Sequence, residues 1–328
     1  MGRIFCFHEV TIAAAASVAG KEEAKGPLGA TFDFHDDSNR FGADTWEKAE
    51  AGAVSYAITL ALKKWKGERL PELLFAGDLQ NQCVASAEGA LAFGIPYVGL
   101  YGACSTMTEG LLLAAIALET GGIEVAMAAS SSHNAAAERQ FRLPLEYGGQ
   151  RPPTAQWTAT AAGAYVLARG NAGVRITRGM AGRIVDGGIT DATNMGAAMA
   201  PAAADSILAF LKGTGSTPAD YDAIVTGDLG SEGSALLAHL LRREGLSLAG
   251  RHYDCGCLLY DSKKQDAHAG ASGCGCSAAV LAAHFLPKIK AGELERVLFL
   301  STGALMSPQS IAQGGDIYGI APAILLER

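Results

Sequence analysis

The sequence predicts an α/β protein built from two copies of one layered unit, and three observations carry that prediction. Short apolar runs that end in turn residues alternate with Ala- and Leu-rich helical segments, the pattern of strands joined through helices into a largely parallel sheet. The second half of the chain then repeats the first. Gly77-Asp78-Leu79 returns as Gly227-Asp228-Leu229, and the turn around Gly102-Ala103-Cys104-Ser105 returns around Gly273-Cys274-Gly275-Cys276-Ser277. Finally, the spacing is kept: 26 residues separate Cys104 from Ser130, and 25 separate Cys276 from Ser301. A period this long marks an internal duplication and not a short-repeat solenoid. The expected halves are residues 1–170 and 171–328, packed as one compact unit.

Taken in order, residues 1–20 carry an Ala-rich patch without the basic start and leucine core of a signal peptide. Residues 20–45 read as loop. Apolar residues at helical spacing predict a helix over 46–66, and Leu73 to Ala76 reads as a short buried strand. A small-residue helix is expected over 83–93, closed by Gly94 and Pro96. The run 95–100 reads as a strand that enters a glycine turn and a helix beginning at Cys104. The next strand, 124–129, delivers Ser130, Ser131, Ser132, His133 and Asn134 at its end. A long polar segment with Pro144, Pro152 and Pro153 follows, the kind of loop that is usually functional. Residues 163–168 close the first half, and 321–326 mirror them in the second.

Composition removes several classes of function. The chain has 328 residues, 49% hydrophobic, with a formal net charge of −7 and no Lys/Arg run, which argues against nucleic acid as a partner. No apolar run reaches the length of a membrane span. Seven cysteines, an odd number, suit a reducing compartment better than a disulfide framework.

The chemistry is expected at the carboxyl ends of the strands, where ligands sit in such sheets. Asp78, Cys104, His133, Asp228 and Cys274 all fall there. Cys104 at a helix start, with Ser105 and Thr106 to cap the first turn, is expected to have a lowered pKa beside a ready anion site. Cys255 and Cys257 with Cys274 and Cys276 invite a zinc site. Pairs two apart in a strand lie too far from each other for that, and the default is small core residues. His133 reads either as a ligand or as a satisfied core histidine, and Trp157 either as core packing or as a stacking surface. Arg139 and Arg142 either reach a ligand or pair with Glu138 and Glu146.

Taken together, the motifs narrow the field. A duplicated α/β chain with a cysteine at a central helix start is similar to the thiolase fold, an α/β/α/β/α layered architecture. Ala76-Gly77-Asp78-Leu79, Gly102-Ala103-Cys104-Ser105-Thr106, Ser132-His133-Asn134 with Glu138-Arg139, the segment ending in Gln156-Trp157, Met199-Ala200-Pro201 and Ser272 through Ser277 resemble the stage V sporulation protein AD family. That resemblance implies a protein that binds dipicolinic acid. It also implies membrane-embedded partners from the same operon, with which the acid is loaded into the developing spore. The location implied is cytoplasmic, or peripheral on the spore inner membrane. Thiolase folds usually dimerise through a central strand and its helices, here the region 96–118 and the strand 124–129.

The residues themselves favour binding over condensation. A ketoacyl synthase needs two second-half donors, His with Asn or a second His, near Gly227-Asp228 and near Gly275. Residues 223–232 contain no histidine and 270–280 no asparagine. The alternative, a condensing or acyl-transfer enzyme using Cys104, is therefore the weaker reading. The candidate binding set is Asp78, Cys104, Ser132, His133, Asn134, Arg139, Asp228 and Cys274, with no resident metal or cofactor. The aspartates oppose a dianion unless one is protonated, one orients a cation, or a calcium ion arrives with the ligand.

Overall fold

The computed structural model describes residues 3–141, 150–170 and 172–328. In chain order its principal strands are β1 (Val10–Gly20), β2 (Leu73–Gly77), β3 (Tyr97–Gly99), β4 (Val125–Ser132), β5 (Ala161–Arg169), β6 (Val174–Met180), β7 (Ala223–Thr226), β8 (His252–Asp254), β9 (Arg296–Leu300) and β10 (Ala323–Glu327). They lie side by side as β8-β7-β9-β10-β6-β1-β5-β4-β2-β3. Outward from the β1–β6 seam the two halves have one topology. The order β1-β5-β4-β2-β3 matches β6-β10-β9-β7-β8, with the same sense of pairing at each step. Each half holds two parallel and two antiparallel pairings, so the sheet is mixed and not largely parallel.

The helices repeat as well. The principal ones are α1 (Trp46–Lys64), α2 (Val84–Ala90), α3 (Thr106–Glu119), α4 (Asn134–Phe141), α5 (Met195–Thr214), α6 (Gly230–Arg243), α7 (Cys255–Leu259) and α8 (Cys274–Val280). Side-chain alternation shows the layering. In the first half Leu74, Ala76, Met127, Ala129, Ala162 and Ala164 point to one core, shared with Ala49, Ala53 and Ala57 of α1. Their neighbours Phe75, Ala126, Ala128, Ala161 and Tyr165 point to a second core, shared with Leu111 of α3 and Val280 of α8. In the second half Val225, Phe299 and Ile324 join that same central core, while Ile224, Leu298 and Leu325 face a third core under α5 and α6. Helix, half-sheet, paired central helices, half-sheet and helix give the five layers. The small residues of α1 let its backbone lie close on an alanine-rich sheet face, and Thr45 caps its first turn by accepting the Lys48 N–H at 3.3 Å.

Two central strands differ from expectation. The Ala-rich patch at 10–20 is β1, and 174–180 is β6; they pair at Thr11–Arg175 and Ile12–Val174 to join the halves. The strand beginning near residue 124 runs to Ser132, is buried along its whole length and lies between β5 and β2. It therefore offers no surface to a second copy. The first half's sheet edge is β3, all three of whose residues are exposed, and β8 forms the edge of the second half. Among the described residues no helix is long and apolar enough to cross a membrane.

Candidate functional site

The site begins where β3 ends. The chain turns through Gly102, enters the left-handed region at Ala103 (φ +52°), and makes a tight turn over Ala103–Ser105 before α3. A positive φ at a non-glycine residue is a costly conformation, and here it sets Cys104 at the head of the helix with 5% exposure. Ser105 and Thr106 do not cap the turn. Their hydroxyls bond backward, Ser105 Oγ to the Gly102 carbonyl at 2.6 Å and Thr106 Oγ1 to that of Ala103 at 2.7 Å.

The thiol is not activated. Burial pushes the Cys104 pKa well above its usual value, and the charge of the neighbouring Asp228 carboxylate pushes it further. These effects outweigh the helix terminus that predicts a lowered value. Asp228 itself is fully buried and pushed up to about 7 by that burial. It accepts from Thr302 Oγ1 at 2.7 Å and from the Gly273 N–H at 2.8 Å. The carboxylate thus ties the Cys104 turn to the start of α8 and to the end of β9.

The Gly275 position, where a condensing enzyme needs a second donor, has no room for one. A Cβ there would stand 2.2 Å from the Ala161 carbonyl oxygen and 2.7 Å from the Ser132 N. Gly275 is required because α8 starts against the backbone of β4 and β5.

A cavity of about 390 Å³ opens in front of Cys104. Tyr101, Phe141, Met195, Met306 and Tyr318 give it apolar walls, and Glu138, Thr158, Ser272, Ser307, Ser310 and Asp316 give it polar ones. No Lys, Arg or His is among its described lining residues.

The structure separates the eight candidate residues. Cys104 lines the cavity, and Asp228 stands behind it as the thiol's partner. Cys274 is fully buried beside Cys104, its thiol donating to the Ser131 carbonyl at 2.9 Å. Ser132 is spent on the backbone: its hydroxyl donates to the Ala159 carbonyl and accepts the Gly275 N–H. Asn134 donates to the Thr158 carbonyl at 3.2 Å. Asp78 lies outside the cavity lining. One of its oxygens accepts the Gln80 N–H at 2.8 Å, and the other accepts both the N–H and the hydroxyl of Ser86, at 2.7 and 2.6 Å. It organises the entry to α2 and shares its burial with Glu50, which burial and the Asp78 charge push up to about 8. His133 packs against Trp46 at 5.3 Å and borders a separate cleft. Arg139 pairs with Glu47 at the surface.

Cys255 and Cys276 are fully buried core residues, as expected, but the setting of the first cysteine pair differs. Cys255 and Cys257 sit on the turn of helix α7, capped by Asp254, and not on a strand; Cys257 is exposed. Arg142 and Glu146 lie outside the described residues.

Several lining residues escaped the sequence. Glu138 and Ser272 stand within motifs quoted above and Thr158 directly follows one, while Thr302, which follows β9 and donates to Asp228, lies outside the lining. Nothing local marks Met306, Asp316 or Tyr318, which reach the cavity only through the fold.

Comparison with known sequences decides the family. The model of stage V sporulation protein AD matches residues 4–327. The chain belongs to that family. It is 42% identical over 322 residues to stage V sporulation protein AD of Bacillus subtilis, covering 98% of this chain and 95% of the relative. Among solved structures it is similar to cerulenin-bound OleA of Xanthomonas campestris, at TM-score 0.63 and 17% identity over 98% of this chain and all of that one. It is also similar to 3-oxoacyl-(acyl carrier protein) synthase III of Xanthomonas oryzae, at TM-score 0.60 and 17% identity with the same coverage. At these identities the likeness concerns the fold, which is that of the thiolase-type condensing enzymes.

Proposed function

We propose that this member of the family binds dipicolinate in the cavity before Cys104 and does not condense acyl groups. The observation that carries the reading is the Cys104–Asp228 pair. Where an acyl-transfer enzyme of this fold needs a thiolate beside neutral donors, this chain sets a buried thiol, its pKa pushed up by burial and by the neighbouring acid, beside the buried carboxyl of Asp228. A carboxylate there opposes an enolate or a leaving carboxylate.

The cavity volume suits a small flat diacid, and its aromatic and methionine walls suit a pyridine ring. Glu138 and Asp316 line the cavity, and calcium takes carboxylate oxygens from protein and ligand alike, so the calcium chelate is the proposed form of the ligand. The exposed edge β3, with Tyr97 and Val98, supports pairing with a second copy. Membrane proteins of the same sporulation operon are the proposed recipients of the ligand, with this chain peripheral to the spore inner membrane.

The test is calorimetric titration with pyridine-2,6-dicarboxylate and its isomers, with and without calcium. Binding selective for the 2,6-isomer and tightened by calcium is expected. Turnover of acyl-CoA thioesters with stable acylation of Cys104 would replace this reading with the enzymatic one.

A further inference from the structure

The second half of the sheet ends at β8, which has a partner strand on one side only. β7 lies beside it in parallel with Ile224 opposite His252, and the Ile224 N–H donates to the Arg251 carbonyl at 2.8 Å. Successive residues of a strand turn their backbone groups to opposite sides. Arg251 faces β7, so the N–H and C=O of His252 face away from the sheet. β8 carries no Lys, Arg or Pro of the kind that blunts an edge, and Tyr253 is 40% exposed on it.

A cavity of about 170 Å³ opens beside the start of this strand, between the last turns of α6 and the residues that lead into β8. It shares no lining residue with the cavity before Cys104. Leu237 and Leu248 give it apolar walls, Arg242 gives it a charge, and His252 belongs both to the lining and to the edge strand. No acid is among its described lining residues. The Arg242 guanidinium makes no ion pair or hydrogen bond among the described residues, whereas Arg183 and Arg296 each pair with an acid. The volume lies below the roughly 300–1,000 Å³ of pockets that enclose a whole small-molecule ligand, and it suits one apolar side chain with the group attached to it.

We propose that this face captures the C-terminus of an extended peptide. The last side chain enters the cavity between Leu237 and Leu248, the terminal carboxylate meets Arg242, and the peptide backbone continues the sheet along His252. Main-chain bonds to a free edge supply affinity in such docking, and a pocket beside the edge supplies specificity. A guanidinium takes a carboxylate through two parallel N–H bonds. The carboxylate is also the charge complement of a lining that holds a cation and no acid. The site is independent of the ligand before Cys104 and of pairing through β3, which stands at the other end of the strand order.

The test uses N-acetyl-L-leucine on the full-length chain, a small probe that has an apolar side chain, a carboxylate and a peptide N–H. Saturation-transfer NMR on its methyl signals should report saturable binding. N-acetyl-L-leucinamide, which lacks the charge, should bind about tenfold more weakly, as should the acid to Arg242→Gln. N-acetyl-N-methyl-L-leucine, which lacks the N–H, should also bind more weakly than the parent acid. Arg242→Gln should keep its Tm, because the guanidinium holds nothing in the free protein, and Arg243→Gln should bind as the unaltered chain does. Absence of saturable binding overturns the proposal, as does equal binding of acid and amide or an equal loss in the two arginine variants. Inorganic phosphate that displaces the probe at equal concentration would leave an anion site only and overturn it as well.

Discussion

The Asp228 carboxyl group stands beside the Cys104 thiol, so an acid from one half of the chain borders the head of the central helix in the other. The same acid accepts from Gly273 and Thr302, which makes it the junction of three elements.

Replacing that acid should change the thiol. In Asp228→Asn the negative charge beside Cys104 is lost, so the midpoint of alkylation against pH should move down toward the ordinary cysteine range. Mass spectrometry of the Cys104 peptide after iodoacetamide reads this directly. An unchanged midpoint would mean that burial alone sets the thiol's state.

Asp78 should matter for folding more than for ligand. Asp78→Ala leaves the Gln80 N–H and both Ser86 donors without their acceptor, at a cost of about 1–3 kcal/mol for buried groups left unpaired. A lowered Tm is expected, with dipicolinate affinity retained in whatever fraction stays folded. Loss of affinity at an unchanged Tm would return Asp78 to the binding site.

Stability should fall as pH rises through neutrality. Burial pushes Glu23 and Asp228 up to about 7 and, with the Asp78 charge, Glu50 up to about 8, so the folded chain keeps protons that the unfolded chain releases near pH 4. The stability these groups contribute is fully present below about pH 4 and has been lost above about pH 8, a change on the order of several kcal/mol for the three together. The surface carboxyls held low by partners, Asp36 and Glu47 among them, act in the opposite sense only at lower pH. Calorimetry between about pH 5 and about pH 8 should show a declining Tm that flattens in Glu50→Gln. A rising profile would contradict the assignment.

The proposed pairing of copies through β3 predicts a monomer for Val98→Lys. Its side chain is 38% exposed on the sheet edge, so the change costs little inside one chain and places like charges across a two-fold contact. Light scattering that still reports a dimer would move the interface elsewhere.

The sequence by itself determined what is local or repeated: the duplication, the helices expected over 46–66 and 83–93 and found over 46–64 and 84–90, the strand–turn–helix at Cys104, and the family through its motifs. It did not reveal β1 as a strand, because an alanine run buried on both faces has no alternation to read and little β propensity. Nor could it tell the two Gly-Asp-Leu repeats apart, and the tertiary structure made that choice. After Asp78 the Gln80 N–H and Ser86 lie within reach, and they take both carboxylate oxygens. After Asp228 the nearest N–H groups, those of Leu229 and Gly230, are already taken by Asp254 from the neighbouring strand. Asp228 is therefore left to meet Gly273, Thr302 and Cys104. Identical words in the sequence acquire different roles because a buried acid turns to whichever donors its neighbours have not used.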